Sequence, residues 1–407
     1  MPQPIAREEL QHTVNVVARR AGNQTHAAKD LGIAQATVGQ RLTRAKQLGI
    51  APNSNTEDPN NLAHVKQQLK RAQTELAQAR ERDLTHETIR RHIIGLKSSP
   101  EILTPPRFLA PTRDDPSAPG VPTLMVSDLH WGEKVHPSQI NGVNAYDVKT
   151  AHRRMDDLAS SAVHLLKILD PKMRYPGIVI PLGGDMISGN IHDELAQSNE
   201  LATMPTVLDL FGKLSPFIRH MADTFGKVFL PCVTGNHGRD THKIYNKDRH
   251  HTSFDWLLYC FLAKHFEGDK RISFFIPDGP DAYYKVYGHR YLLTHGDQFR
   301  GGDGVIGALG PIIRGDHRKR SRNSQIDMEY DTMIIGHWHQ YIQMERLIVN
   351  GSLKGYDEYA YGNSFPFEPP RQALWVTHPR YGITYRMPVL VDRPRHAPKT
   401  SWVAVPA

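Results

Sequence analysis

The stretch TMIIGHWHQ, residues 332–340, leads an apolar run directly into a glycine and two histidines. The apolar residues predict the end of a buried strand, and Gly336 allows the backbone to turn and to approach a ligand closely. In extended backbone the side chains alternate faces, so His337 and His339 would point the same way and Trp338 the other. Two neutral imidazoles directed into one space can hold a cation together. A polar loop with two unrelated histidines is the alternative.

Four earlier apolar runs end in a similar manner, with Asp, Asn or His beside or near glycine. They are PTLMVSDLHWGE (122–133), GIVIPLGGDMISG (177–189), KVFLPCVTGNHGR (227–239) and YYKVYGHRYLLTHGDQ (283–298). With the first stretch they supply Asp128, His130, Asp185, Asn236, His237, His295, His337 and His339. Each alone could be a turn residue. Because sites in layered folds gather beyond the strand ends, we expect the five strand ends to converge.

The expected donors mix carboxylate, amide and imidazole groups. Such a set suits two borderline divalent ions and does not suit an all-oxygen Ca²⁺ site. Asp128 and His130 repeat the spacing of His337 and His339, so each pair can point at a common centre, and Asp185 can bridge the ions. We expect Mn²⁺, with Fe²⁺, Zn²⁺ and Mg²⁺ as the other candidates.

Composition places the chain in a broad class. It has 407 residues, 39% of them hydrophobic, a net charge of +8 and a pI near 9.3. No apolar run approaches a membrane span and no secretory signal is evident, so we expect no membrane partner. Only Cys232 and Cys260 occur, which predicts a reducing, cytoplasmic location and excludes a disulfide scaffold. The positive charge favours an anionic partner.

Residues 1–50 predict a small all-α module. Leu10, Val14, Val17 and Ala18 share one face of a first helix. A short helix over Thr25–Leu31, a turn at Gly32 and a helix from Gln35 follow, an arrangement that resembles the DNA-binding helix-turn-helix of bacterial regulators. The outer face of the last helix carries the candidate DNA contacts Gln35, Thr37, Gln40, Arg41 and Arg44. An oligomerisation or protein-binding module is the alternative; we favour DNA.

The following segments predict a division into modules. Residues 51–98 hold a polar loop and a short heptad helix over 62–79, which can pair two subunits into a homo-oligomer or dock on the catalytic domain. Residues 99–120 are a Pro-rich linker. The chemistry falls in the domain at 121–392, and 393–407 form a tail.

The order of the motifs, D-x-H, G-D, G-N-H, H and G-H-x-H, resembles that of the calcineurin-like metallophosphoesterases over residues 121–352. More loosely, the arrangement is similar to phage- and prophage-encoded members, which would place it in a host cytoplasm. The resemblance implies an α/β (α+β) fold, a four-layer β-sandwich flanked by helices. It implies one metal on Asp128, His130, Asp185 and His339, and a second on Asp185, Asn236, His295 and His337. It makes His237 the catalytic residue beside the leaving group.

One position departs from the pattern of that family. Its members commonly carry Asp or Glu after G-N-H, where this chain has Gly238 and Arg239. The partner that orients His237 is therefore open, with Asp240 as one candidate. Arg239 can bind a substrate phosphate or be an exposed structural arginine.

A basic stretch near the last motif bears on the substrate. IIRGDHRKRSRNSQ contains Arg314, Arg318, Lys319, Arg320 and Arg322, which suit a nucleic-acid backbone; a solvated charge run is the alternative. We expect a two-metal phosphodiesterase that uses metal-activated hydroxide, most simply a DNA nuclease. The alternatives are a phosphatase or phosphodiesterase acting on a small or protein phosphoester, and a DNA-binding regulatory or assembly protein with a structural metal domain.

Overall fold

The computed structural model describes residues 5–52, 119–300, 307 and 309–392. The chain divides into two compact units, Met1–Glu87 and Thr88–Ala407. The predicted heptad helix at 62–79, most of the Pro-rich linker and the tail from 393 lie outside the described residues. Among the helices that are described, none is both long enough and apolar enough to cross a membrane.

The helices and strands of the described residues are numbered in chain order. The helices are α1 (Arg7–Arg19), α2 (Gln24–Leu31), α3 (Gln35–Gln47), α4 (Val148–Leu169), α5 (Asp193–Ser198), α6 (Thr203–Phe225), α7 (Phe254–His265), α8 (Leu309–Ser324) and α9 (Glu358–Gly362). The strands are β1 (Val121–Leu124), β2 (Ile178–Val179), β3 (Val228–Pro231), β4 (Ile272–Phe275), β5 (Asp281–Val286), β6 (His289–Thr294), β7 (Thr332–Ile335), β8 (Ile342–Met344), β9 (Leu347–Val349), β10 (Arg371–His378) and β11 (Gly382–Leu390). A 3₁₀ turn covers Pro137–Gln139.

The second unit contains two mixed sheets. The first has the order β11-β10-β1-β2-β3-β4, with β1 to β4 parallel and β10 antiparallel to both neighbours. The second has the order β5-β6-β7-β9-β8, with β6, β7 and β9 parallel. Parallel strands covered on both faces are apolar throughout, which explains the continuous apolar runs of the sequence.

Three hydrophobic layers hold the sheets and helices together. Residues such as Met125, Trp375 and Ile334 fill the space between the two sheets. The outer face of the first sheet packs against α4, α6 and α7, and that of the second packs against α8 through Ile312. The second unit is therefore a four-layer arrangement of helices, sheet, sheet and helix, which confirms the predicted fold class.

Helix α4 shows how sequence sets this packing. Asp147 caps the helix by accepting a hydrogen bond from the Thr150 N–H at 2.7 Å. The fully buried side chains then recur at helical spacing and face the first sheet: Ala151, Met155, Leu158, Ala162 and Leu166. Helix α4 is thus one of the helices that flank the sandwich.

One strand prediction is wrong. The run at 283–298 was expected to form a single strand before His295. Instead β5 and β6 form an antiparallel hairpin, because the chain reverses at Tyr287 and Gly288. Tyr287 has a φ of 52°, in the left-handed region typical of tight turns. Only β6 leads into His295.

The first unit contains three helices in its described part. The predicted helix over Thr25–Leu31 and the turn at Gly32, with a φ of +63°, are confirmed. The inward face of α3 carries the buried Val38. Ala18, which was predicted to share the face of Leu10, Val14 and Val17, is exposed. Val16 is buried instead, because α1 turns that side toward α2 and α3.

Candidate metal centre

The five strand ends meet at one edge of the sandwich. Strands β1, β2 and β3 are parallel neighbours in the first sheet, and β6 and β7 are parallel neighbours in the second. Their carboxyl ends therefore open on the same side. The structure brings together the predicted metal ligands that follow these strands: Asp128, His130, Asp185, Asn236, His295, His337 and His339.

Tight left-handed turns, and not extended backbone, direct most of these side chains. Positive φ values occur at Asp128 (53°), His130 (45°), Asp185 (49°), His337 (67°) and His339 (51°). The expectation that His337 and His339 share a direction because the backbone is extended is therefore wrong. Such φ values are unfavourable for residues with a Cβ and cluster at functional sites. The left-handed backbone at these five residues accompanies side chains that converge on one centre.

The first ligand group lies at the ends of β1 and β7. The nearest donor atoms of Asp128, His130 and His339 all lie within 4.8 Å of one another. Nε2 of His130 is 2.9 Å from Nε2 of His339, which in turn is 3.5 Å from Oδ1 of Asp128. Oδ2 of Asp185 lies 4.0 Å from Nε2 of His130. This is the set expected for one ion.

The second ligand group also includes Asp185. Its Oδ2 lies 3.0 Å from Nε2 of His295, which is 3.2 Å from Oδ1 of Asn236. The nearest donor atoms of Asp185, His295 and His337 lie within 4.8 Å of one another. The other oxygen of Asp185, Oδ1, accepts a hydrogen bond from the His237 N–H at 2.7 Å. One oxygen of Asp185 thus faces both groups while the backbone holds the other.

The hydrogen bond made by His295 leaves its other ring nitrogen available for a metal ion. Nδ1 of His295 donates to the Gly183 carbonyl at 2.9 Å, so Nε2 would present a lone pair to Asp185 and Asn236 whenever the ring is neutral. Facing acceptors repel unless a cation or a proton lies between them. Burial opposes a proton on His295, but the charge of Asp185 outweighs it and raises the pKa of this imidazole to about 10. A divalent ion would supply the same positive charge.

The imidazoles of His130 and His337, unlike that of His295, are held neutral, as metal ligands must be. Burial, reinforced by the charge of Lys354, lowers the pKa of His130 to about 4. Burial, reinforced by the charge of His295, lowers the pKa of His337 to about 4. Within the described residues, the donor set therefore fits two divalent ions.

His237 lies beside the first group, as its predicted catalytic role requires. Its ring is 4.6 Å from that of His130, centroid to centroid. Nδ1 of His237 donates to the Ser188 carbonyl at 3.0 Å, so Ser188 provides the orientation for which Asp240 was a candidate. Since Nδ1 is occupied, Nε2 is the nitrogen that can exchange a proton with a substrate. Burial lowers the pKa of His237.

A buried ion network behind His130 was not predicted. Nδ1 of His130 is 3.4 Å from Oε2 of Glu133, whose other oxygen pairs with Nζ of Lys354 at 2.9 Å. Asp357 also pairs with Lys354. Burial works against the ionisation of Glu133, but Lys354 holds its pKa below the usual range. Glu133 lies three residues after His130 in the same motif, so the sequence could have indicated its role. Nothing in the sequence indicates the role of Lys354.

Asp255 is a second unpredicted residue. This fully buried carboxylate accepts hydrogen bonds from the N–H groups of Asp185 (3.0 Å), Met186 (3.2 Å) and Gly235 (2.9 Å). Burial, with the charge of Asp185, raises its pKa to about 7. Asp255 lies on α7 and joins the loops after β2 and β3. It therefore positions the backbone of Asp185, a candidate metal ligand.

Arg239 is directed toward its own loop. Its guanidinium donates to the carbonyls of Asn236 (2.7 Å), Thr241 (2.9 Å) and His242 (3.2 Å). These bonds favour the structural alternative over phosphate binding for this arginine.

The basic stretch lies on α8, and its members have different surroundings. Lys319 and Arg322 both pair with Asp281, at 2.6 and 2.8 Å, and Arg320 pairs with Asp316 at 2.8 Å. Arg314 and Arg318 are exposed and line a cleft of about 360 Å³, called the basic cleft below.

The candidate DNA contacts on α3 also differ in exposure. Gln40 and Arg44 are exposed, and Arg44 is 3.0 Å from Gln47. Arg41 is half-buried and pairs with Glu9 of α1 at 3.1 Å. The DNA role of this face stays a prediction.

Comparisons with known proteins add little. No family model and no curated protein sequence matches the chain. Similar solved structures include a conserved uncharacterized protein from Streptococcus pneumoniae, described as a predicted phosphoesterase (10% identity, TM-score 0.24, 62% of this chain and 81% of that one). A single mutant of Vps29 from Entamoeba histolytica has 12% identity and a TM-score of 0.26, over 66% of this chain and 98% of that one.

A third similar structure is the sulfate thiohydrolase SoxB of Thermus thermophilus in complex with glycerol. It has 11% identity and a TM-score of 0.28, and the match covers 68% of this chain and 58% of that one. Similarity at these scores supports no inference from these proteins to this chain. The fold and the site therefore rest on the contacts described above.

Proposed function

We propose that this chain is a two-metal phosphoesterase that hydrolyses phosphodiesters, and that DNA is its substrate. The observation that carries the proposal is the position of Asp185, whose Oδ2 lies 3.0 Å from His295 and 4.0 Å from His130. A carboxylate oxygen that lies between two groups of nitrogen and oxygen donors is the arrangement expected of a bridging ligand.

The residues would divide the chemistry among them. Two divalent ions bound at Asp185 would polarise a phosphoryl oxygen and lower the pKa of a water molecule. Asp128 and Asp185 are held by backbone N–H groups of His337 and His237, at 2.8 and 2.7 Å, which fixes the carboxylates before substrate arrives. Nε2 of His237 is placed to donate a hydrogen bond or a proton to the departing oxygen.

DNA is proposed as the substrate from the distribution of positive charge. The net charge of +8, the exposed Gln40 and Arg44 of α3, and the basic cleft near the site all suit a polyanionic strand. The first unit would then hold DNA and the second would cleave it. A phosphatase acting on a small or protein phosphoester would not need either basic surface.

The experiment is a substrate panel. The purified full-length protein, supplied with Mn²⁺, is assayed against single- and double-stranded DNA, RNA, bis-p-nitrophenyl phosphate and p-nitrophenyl phosphate. We expect turnover of bis-p-nitrophenyl phosphate and DNA that chelator abolishes. Turnover of the phosphomonoester alone would favour the phosphatase. No turnover of any ester, with DNA still bound, would favour a regulatory or assembly protein.

A further inference from the structure

The basic cleft lies next to the candidate metal centre and is not needed to hold its ions. Six basic side chains line it: Arg249, Arg300, Arg314, Arg318, Lys319 and Arg322. Thr234 and Gln298 line it too, and they lie two residues before Asn236 and three after His295. The loops after β3 and β6 therefore contribute both to the metal centre and to this cleft.

Arg249 connects the cleft to the ligand loops. Its guanidinium pairs with Asp297 at 2.8 Å and donates to the Gly235 carbonyl at 3.3 Å. Its side chain is 17% exposed, so the charge is largely desolvated but still faces the cleft. An anion in the cleft would be held close to the loops that carry Asn236 and His295.

The cleft retains positive charge after its internal ion pairs are formed. Asp281 pairs with Lys319 and Arg322, and Asp297 pairs with Arg249. Two further carboxylates, Asp248 and Asp278, lie in the lining itself. Among the described residues, these four carboxylates are outnumbered by the six basic side chains, so a bound anion would be favoured.

Arg318 is the side chain best placed to meet such an anion. It is exposed on α8, next to Lys319, which pairs with Asp281, and it lines the cleft. Among the described residues, no carboxylate forms an ion pair with Arg318. A guanidinium group binds two oxygens of one phosphate in a fixed geometry, so Arg318 suits a phosphate group.

We propose that the basic cleft binds a second phosphate of the substrate, on a nucleic-acid strand whose neighbouring phosphodiester lies at the metal centre. This rests on the proposed function and adds a substrate class to it. The enzyme would select esters with more than one phosphate over esters with a single one. Of the predicted basic stretch, Arg318 and Arg314 would contact the strand, while Lys319, Arg320 and Arg322 would hold α8 in place.

The test compares substrates that differ by one phosphate. The full-length protein with Mn²⁺ is assayed on the dinucleotides TpT and pTpT and on thymidine triphosphate. We expect the added phosphate of pTpT to raise kcat/KM, and Arg318→Gln to lower kcat/KM for pTpT about 10- to 100-fold more than for TpT, the range for loss of a charge-assisted hydrogen bond. Arg346→Gln removes an equal charge from an exposed turn outside the cleft and should change neither substrate.

Two results would overturn the inference. One is an equal effect of Arg318→Gln on TpT and pTpT. The other is dependence on Arg318 for thymidine triphosphate but not for pTpT, which would assign the cleft to a nucleotide polyphosphate. If the protein turns over no ester, the proposed function fails, and calorimetric binding of pTpT in metal-free buffer still tests the cleft. Binding that Arg318→Gln weakens at least about tenfold, and Arg346→Gln does not, supports it; equal binding by both variants contradicts it.

Discussion

The backbone N–H of His337 donates a hydrogen bond to Oδ1 of Asp128 at 2.8 Å, across the junction of the two sheets. Asp128 follows β1 of the first sheet, and His337 follows β7 of the second. Gly336 permits this approach, because a Cβ at that position would collide with the Asp128 carboxylate. The geometry of the candidate centre therefore depends on how the two sheets pack.

His237→Ala is predicted to retain both metal ions and to slow hydrolysis by about 10²–10⁴-fold, the usual contribution of a positioned acid. The loss should be smaller for esters with good leaving groups, because these need less protonation. The measurement is kcat for a series of aryl phosphodiesters, with His220→Ala on the exposed face of α6 as control. An equal loss across the series would mean that His237 stabilises charge and does not donate a proton.

Asp255→Asn is predicted to lower activity or metal affinity about 10- to 100-fold, as for other residues that hold metal ligands in place. In this variant an amide NH₂ group replaces one of the two carboxylate oxygens, and an NH₂ group cannot accept a hydrogen bond. Either the pair of bonds from Asp185 and Gly235 or the single bond from Met186 is therefore lost. Metal titration by calorimetry and kcat are the measurements. Asp156→Asn, at an exposed carboxylate of α4, is the matched control. If metal affinity and kcat are unchanged in Asp255→Asn, Asp255 does not position the candidate ligands.

The pair of Asp281 and Lys319 predicts a pH dependence of stability. Burial opposes the ionisation of Asp281, but Lys319 outweighs it, so the pKa of Asp281 lies below its usual value. The stabilisation of the folded protein by ionised Asp281 is therefore complete above the pKa of an unfolded aspartate, about 4. It is lost as pH falls through the pKa of Asp281 in the folded protein. Asp281→Asn should destabilise the protein at pH 7, and by less at pH 3. Urea unfolding at both pH values measures the change in the free energy of unfolding. An equal decrease at pH 7 and pH 3 would contradict the prediction.

Arg44→Gln in the full-length protein is predicted to weaken duplex DNA binding and to reduce the slope of log affinity against log salt by about 1, the effect of losing one phosphate contact. Arg44 is exposed on α3, whereas Arg41 pairs with Glu9, so Arg41→Gln should have the smaller effect. Anisotropy titrations across a salt series provide the measurement, with Arg7→Gln on α1 as control. If neither affinity nor slope responds to Arg44→Gln, this face of α3 does not hold DNA.

The convergence of the candidate ligands could be predicted from the sequence, but the backbone conformation that produces it could not. Asp, Asn and His after apolar runs are visible as residue types, and the two parallel strand sets bring them to one edge. The left-handed φ values at Asp128 and His337 are not visible, because they arise from contacts between loops that are distant in sequence. The same holds for Asp255, which lies 70 residues beyond Asp185 yet holds its backbone.

The basic stretch illustrates a second limit. A run of arginines and lysines indicates charge but does not show which side chains meet carboxylates elsewhere in the chain. Asp281 on β5 neutralises Lys319 and Arg322, and Asp316 pairs with Arg320, whereas Arg318 faces the cleft. Only the tertiary contacts separate structural cations from candidate ligands of a substrate.

The most direct test of the two-metal centre is anomalous diffraction from crystals of the full-length protein grown with Mn²⁺, compared with the Asp185→Asn variant. We predict two anomalous peaks about 3.5–4 Å apart, with the Asp185 carboxylate between them, one near His130 and His339 and the other near His295 and His337. The variant should lose one or both peaks and its turnover. A single peak in the native protein, or two peaks that persist unchanged with full activity in Asp185→Asn, would contradict a metal pair bridged by Asp185.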